Sequence, residues 1–297
     1  MKRRHFLAAS AIATVGSAIL SQNVWATARK KVGLQLYTLR HEIEADGAEA
    51  ILKKIAPIGY SHVETYPVKG LGNFFGLSVP EYLALLQRVG LQSYSLHIPF
   101  ATEPTNIDKP SFYSFTSHQA QLVLQAKEAS IQYIVLPYLD ESFRKSIADY
   151  EKLAKQMNDF GTLCKASGIQ FVYHNHDFEF QTLEGIQPYS ILLKNTDKAL
   201  VAFELDIYWA TKAGVDIEAL FKANPERFPL WHVKDIGKAD GDTVPVGQGT
   251  INWKKVFDLK DQAGLKYYFI EQDNCNTISV LDSITSSFKY INTISKA

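Results

Sequence analysis

The sequence predicts a single α/β domain closed into a (β/α)8 TIM barrel, and three observations carry that expectation. From residue 27 onward, apolar strand-like runs alternate with helical patterns. Several helical patterns end at or beside a glycine, with a strand beginning at once. Most of the strands finish in polar or ionisable side chains. Parallel strands joined by crossover helices produce such an alternation, and eight units favour a closed barrel over an open doubly wound sheet.

Residues 1–26 read as a targeting segment. Lys2, Arg3, Arg4, His5, Phe6 and Leu7 precede a moderately apolar run to Leu20, and Val24, Trp25 and Ala26 follow. Basic head, apolar middle and small-residue cleavage site make a signal peptide. The twin arginine with Phe-Leu behind it resembles the signal of the twin-arginine route, which exports folded proteins. The run is short for a membrane span and is broken by Ser10, Thr14, Gly16 and Ser17. No cysteine follows it, which argues against a lipoprotein. The expected product is a periplasmic domain over 27–297, with no stable membrane association once the signal is cleaved.

Eight strands are expected, at Val32 to Tyr37, Tyr60 to Tyr66, Leu91 to His97, Gln132 to Pro137, Ile169 to His176, Leu200 to Asp206, Phe228 to Asp235 and Lys266 to Asp273. Gly59, Gly90, Gly168 and Gly264 mark four helix-to-strand junctions, where glycine tolerates the left-handed turn. Apolar residues at helical spacing cover Ala48 to Ile58, Val79 to Val89, Ser117 to Ser130 and Tyr150 to Ser167. Pro99 to Phe112, with three prolines, reads as a long loop after the third strand. Loops at that end of a barrel commonly cover the site.

Composition narrows the partners. An apolar fraction of 46% supplies a sizeable core, and 31 basic residues balance 31 acidic ones. Loss of Lys2, Arg3 and Arg4 leaves the mature chain mildly acidic, so neither nucleic acid nor an anionic membrane is an expected partner. Cys164 and Cys275 are too few for a disulfide framework. Cys164 falls in a helical pattern, as a buried small residue would.

Alternate residues of a strand share a face, so parity can be followed to the rim. His174 shares a face with His176, Glu204 with Asp206, His232 with Lys234, and Glu271 with Asp273. Gln35, Tyr37, Glu64 and His97 stand near the ends of the first three strands. Histidine and carboxylate from successive strands suit one divalent ion of the Mn, Zn, Co or Fe kind, whereas an all-oxygen set would favour Mg or Ca. Each also has a structural reading: Asp206 as a cap for a helix beginning near Tyr208, Glu271 as a partner of Lys234, the histidines as hydrogen-bonded core residues. Lys234 equally fits a rim ion pair with Asp235 or Glu271. The segment Val246 to Thr250, with Gly247 and Gly249, reads first as a turn and second as a backbone approach to a ligand.

The segments GLQLYTLR, GYSHVETY, YHNHDFEF, ELDIYWATKAG, FPLWHVKDI and YYFIEQDN together resemble the sugar phosphate isomerase/epimerase group of the xylose isomerase-like TIM-barrel superfamily. That superfamily also includes hydroxypyruvate isomerase, inosose dehydratase, ketose 3-epimerases and endonuclease IV. The resemblance implies a small carbohydrate substrate and a single ion held by Glu, Asp, His and Glu from strands five to eight. Asp206, His232 and Glu271 match the last three of these positions, and His174 stands at the first. Inosose dehydratase is more similar there, with a histidine-rich strand end. Trp209 stands where the epimerases place a histidine. The two glutamates of the epimerases are also their opposed bases, and only Glu271 is retained.

The expected chemistry is therefore proton abstraction next to a carbonyl through an enediolate. Its expected metal ligands are His174, Asp206, His232 and Glu271, with Glu271 and His176 handling protons and Lys234 stabilising oxyanion charge. Tyr37, Glu64, His97 and Trp209 are the expected substrate contacts, with Tyr66 and Trp231 as further candidate stacking rings. A lyase or hydrolase of 3-keto-glycosides uses the same first step, and the export signal and lack of a basic phosphate cluster favour it. A non-enzymatic sugar-binding barrel is the third reading.

Overall fold

The computed structural model describes residues 32–68, 73–101, 113–239, 241–275 and 278–294. The expected signal at 1–26, and residues 102–112 of the expected loop, lie outside the described residues. In chain order the strands are β1 (Gly33–Gln35), β2 (His62–Thr65), β3 (Gln92–His97), β4 (Tyr133–Leu136), β5 (Gln170–His174), β6 (Val201–Asp206), β7 (Leu230–Val233), β8 (Asp235–Ile236), β9 (Thr243–Val244) and β10 (Tyr267–Ile270). Eight of them close a barrel in the order β1-β10-β7-β6-β5-β4-β3-β2, every pairing parallel. Each falls inside a run expected from sequence. The expected seventh run divides: β7 stops at Val233, and Asp235–Ile236 turns out to pair antiparallel with Thr243–Val244.

Local signals set the helix limits. Ile147–Ala166 opens on a capping box, in which Ser146 Oγ accepts the Asp149 N–H and Asp149 accepts the Ser146 N–H at 2.9 Å. Such a cap contributes about 1 kcal/mol. Val79–Val89 stops at Gly90, whose φ of 74° is left-handed and open to glycine at little cost. Pro57 tightens the end of the helix Ala48–Ile55 into a 3-10 turn over Ala56–Ile58. Gly33 is required for another reason: a Cβ there would stand 2.5 Å from His62 Nε2 and 2.6 Å from Tyr268 O. No helix among the described residues is long and apolar enough to cross a membrane.

Apolar side chains form two separate bodies. The larger fills the space between barrel and helices, where Phe171, Tyr173, Phe203, Leu205, Trp231 and Val233 face outward. The smaller fills the lower barrel interior with Val135, Val172, Ala202, Leu230 and Phe269. Trp231 thus has no route to a sugar; it stacks on Phe221 with centroids 5.2 Å apart. Both cysteines are free thiols, Cys164 buried as expected.

Candidate active site

The inner face of the barrel changes character within two residues on β5, β6, β7 and β10. Above Val172 stands His174, above Ala202 stand Glu204 and Asp206, above Leu230 stand His232 and Lys234, and above Phe269 stands Glu271. All six of these polar side chains are buried.

The two carboxylate oxygens of Asp206 have different surroundings. Oδ1 accepts the Trp209 N–H at 3.0 Å and so caps the helix Ile207–Lys212, as its structural reading required. Oδ2 turns toward the strand ends. It accepts no hydrogen bond of good geometry, although Lys234 Nζ is 3.0 Å away. Burial raises its carboxyl to about 6 against the opposing charges of Lys234 and His232. Asn175, to which the sequence reading assigned no role, ties β5 to β6 by accepting the Asp206 N–H at 3.0 Å and donating to the Asp206 carbonyl at 3.2 Å.

His232 lies between two layers of acid. Its Nδ1 is 2.5 Å from Glu271 Oε2 and 4.0 Å from Asp206 Oδ2, while Nε2 is 2.7 Å from Glu64 Oε2 and 3.1 Å from Glu204 Oε2. Burial opposes its charge, yet Glu204 and Glu271 hold it well above the ordinary histidine range. Lys234 Nζ sits 3.0 Å from each of Asp206, Glu271 and Asp273. Those three carboxylates outweigh its burial and keep it firmly charged. Asp235, one of its two expected partners, instead gathers the N–H groups of Ile236, Gly247, Gly249 and Ile251. The glycine segment is therefore a turn wrapped on Asp235. A Cβ at Gly249 would come 2.2 Å from the Asp235 carboxylate.

His174 presents Nδ1 to Glu204 at 3.1 Å and Nε2 toward Asp206 Oδ2 at 3.8 Å. Burial, then the charge of His232, pushes it down to about 3, so it is neutral at pH 7. His176 is part-buried beside Phe178, Tyr138 and Trp209, with no hydrogen-bond partner at Nδ1 among the described residues. Burial, then His174 and Lys234, keeps it well below the usual histidine range. Its main chain is fixed by Glu179, which accepts the His176 N–H at 2.8 Å and the Tyr173 O–H at 2.6 Å. Burial lifts the Glu179 carboxyl to about 7.

A cavity of about 520 Å³ opens above these residues, within the usual size of a small-molecule site. His174, His176, Lys234 and Glu271 line its floor, and Tyr37, Tyr66, Tyr138 and Trp209 supply aromatic walls. Arg40, not singled out by sequence, lies over the Tyr37 ring and donates to the Asp273 carbonyl at 2.8 Å. Two expected substrate contacts part company here. His97 reaches the cavity, whereas Glu64 is fully buried and does not line it. Gln35 Nε2 donates to Glu64 at 2.7 Å, the Ser95 hydroxyl donates to its other oxygen, and His232 and His97 crowd Oε2, which leaves no surface for a substrate.

Among the described residues, two groups could take a metal ion, Asp206 with His232 and Glu271, and a deeper set of His97, His174, Glu204 and His232. The first fits a borderline ion well: imidazole and carboxylate donors converge from three neighbouring strands, and Asp206 Oδ2 lacks a good hydrogen bond. His174 Nε2 approaches from the fourth.

The family model described as xylose isomerase-like TIM barrel matches residues 52–274. The chain belongs to that family. An inosose dehydratase of Mesomycoplasma hyopneumoniae (strain 7448) is 26% identical over 231 residues, covering 72% of this chain and 73% of the relative. The crystal structure of a sugar phosphate isomerase/epimerase from Parabacteroides distasonis superposes with a TM-score of 0.76 at 27% identity, covering 90% of this chain and 94% of the other. The family fold is also shared with the IolI protein with a bound zinc atom, at TM-score 0.69 and 16% identity over 90% and 98% of the two chains. The proteins it resembles thus include a sugar phosphate isomerase/epimerase and inosose dehydratases, and the polar mouth lies at the end of the barrel where active sites of this fold are found.

Proposed function

We propose that this chain is a metal-dependent enzyme that removes a proton from carbon next to a carbonyl in a carbohydrate, in the manner of an isomerase or epimerase. The observation that carries it is the convergence of Asp206, His232 and Glu271 beneath a cavity walled by aromatic rings. A divalent ion held by these three with His174 would supply Lewis acidity to a substrate carbonyl and hydroxyl. Lys234 places a permanent ammonium beside the same carboxylates and offsets oxyanion charge as it develops. Glu271 is ionised at neutral pH, since Lys234 and His232 outweigh the effect of its burial, and it can accept the proton. His176, neutral and with an unpartnered Nδ1, can accept or return one. Tyr37 and Trp209 offer faces on which a sugar ring can pack.

A second reading, elimination from an oxidised sugar such as a 3-keto-glycoside, has a specific observation in its favour. The first family ligand position holds His174 in place of a glutamate, so one carboxylate base remains and the acid–base pair is asymmetric. Loss of a proton at one carbon and of a protonated leaving group at the next needs that asymmetry, and curated relatives named inosose dehydratase agree with it.

The test is incubation in deuterated water with a panel of ketoses and keto-glycosides, with and without a chelator. Chelator-sensitive deuterium incorporation into an isomeric product supports the first reading, and release of water or aglycone the second. Sugar binding with neither outcome overturns both and leaves a binding barrel. Export also remains a proposal: protein recovered from the periplasm should begin near residue 27 on N-terminal sequencing.

A further inference from the structure

Glu204 lies one layer below the cavity, and neither the proposed chemistry nor a contact with substrate uses it. It is fully buried and stands directly across from His174 in the β5–β6 register. Its Oε2 lies 3.1 Å from each of His174 Nδ1, His97 Nε2 and His232 Nε2, while Oε1 has no hydrogen-bond partner among the described residues. Burying a carboxylate is expensive unless charge or hydrogen bonds compensate. His97 and His232 each have Glu64 as a second carboxylate, at 3.0 and 2.7 Å. His174 Nδ1 is within ion-pair reach of Glu204 alone among the described residues.

We infer that Glu204 is a positioning residue for the metal centre, accepting the His174 Nδ1–H so that Nε2 is the nitrogen turned toward Asp206 and the cavity. This rests on the metal reading above. It also accounts for the departure at the first ligand position. A glutamate ligand brings its own negative charge, whereas a neutral imidazole does not. A carboxylate behind the imidazole fixes its tautomer, raises its basicity as a ligand and returns the missing charge at second hand. Glu204 is accordingly not a ligand itself. The nitrogens it faces on His174 and His232 are the ones turned away from Asp206 and Glu271, and an ion drawn down to it would have to displace those N–H groups. The histidine at 174 and the glutamate at 204 form one unit, with the consequence that each is tolerated only in the presence of the other.

The experiment measures metal affinity by chelator competition, using Zn2+ and Mn2+ with the full-length chain. Glu204→Gln should weaken binding roughly 10–100-fold, and His174→Ala by a similar factor, with no further loss when the two are combined. His174→Glu combined with Glu204→Gln should restore affinity, because the carboxylate has been moved back to the first ligand position. His232→Ala is the control on the parent reading. If it still binds stoichiometric metal, the metal centre is misplaced and the inference falls with it. If His232→Ala loses the ion while Glu204→Gln binds like the parent, the metal reading stands and the role of Glu204 is overturned. Ring nitrogen shifts of His174 in the unaltered protein decide the matter even if a variant does not fold. A protonated Nδ1 with Nε2 shifting on Zn2+ addition supports the inference, and an Nε2–H tautomer overturns it.

Discussion

The lower and upper halves of the barrel interior share the strands β5, β6, β7 and β10 and obey opposite rules. Below, Val135, Val172, Ala202, Leu230 and Phe269 interlock as an apolar plug. Above, the acids Glu64, Glu204, Asp206 and Glu271 are buried against His97, His174, His232 and Lys234. The plug gains stability simply by leaving water, on the order of 25 cal/mol per Å² of apolar surface. The charged layer returns little net stability for its desolvation. Its arrangement makes sense as a device for holding an ion and a proton acceptor in fixed places, and the lower layer makes that device affordable.

The sharpest way to break this division is Glu271→Gln. It removes an expected ligand and proton acceptor, and activity on a confirmed substrate should fall by about 10²–10⁴-fold, with the unfolding midpoint in denaturant little moved. Phe269→Ala, two residues earlier on the strand face, should do the reverse: a loss of about 3–5 kcal/mol in equilibrium unfolding, with metal affinity kept in the folded fraction. Equal damage to both properties in either variant would dissolve the distinction. Asn175→Ala is a subtler probe. It leaves every expected ligand in place but frees the β6 end, and should weaken metal binding several-fold with a stability loss of about 1–3 kcal/mol from the main-chain groups left unpaired.

The smallest effect concerns Glu179, which belongs to the buried polar set but stands outside the barrel. Its carboxyl is raised by burial from an ordinary 4.5 to about 7, so between those values the folded chain holds a proton that the unfolded chain has lost. Its contribution is complete below about 4.5 and fades as pH rises toward 7. Glu179→Gln should flatten the fall in stability across that window, as read from denaturant titrations at successive pH values. An unchanged slope would mean that the carboxylate is solvated.

Much of the barrel was legible because its signals are local. Glycine at a helix end and alternation along a strand act within a few residues, and all eight barrel strands fell within the expected runs. Parity was equally informative where it was followed through. With Leu230 and His232 facing inward, Trp231 had to face the helices, so its outward packing was available from the sequence. Glu64 failed for a different reason. Whether an inward residue lines a cavity or lies beneath it depends on the stagger between neighbouring strands, which places Glu64 beside Gln35 and under His232. No single strand contains that information. Glu204 was visible on the correct face two residues before Asp206, but its pairing with His174 needed the β5–β6 register.

One carboxylate joins chemistry to architecture. Asp206 spends one oxygen on the first turn of the helix Ile207–Lys212 and aims the other at the proposed ion. It can neither rotate nor clamp the ion with both oxygens without unpinning the main chain of Trp209, whose ring lines the cavity. An ion bound at Asp206 would therefore pull on the mount of the indole as well.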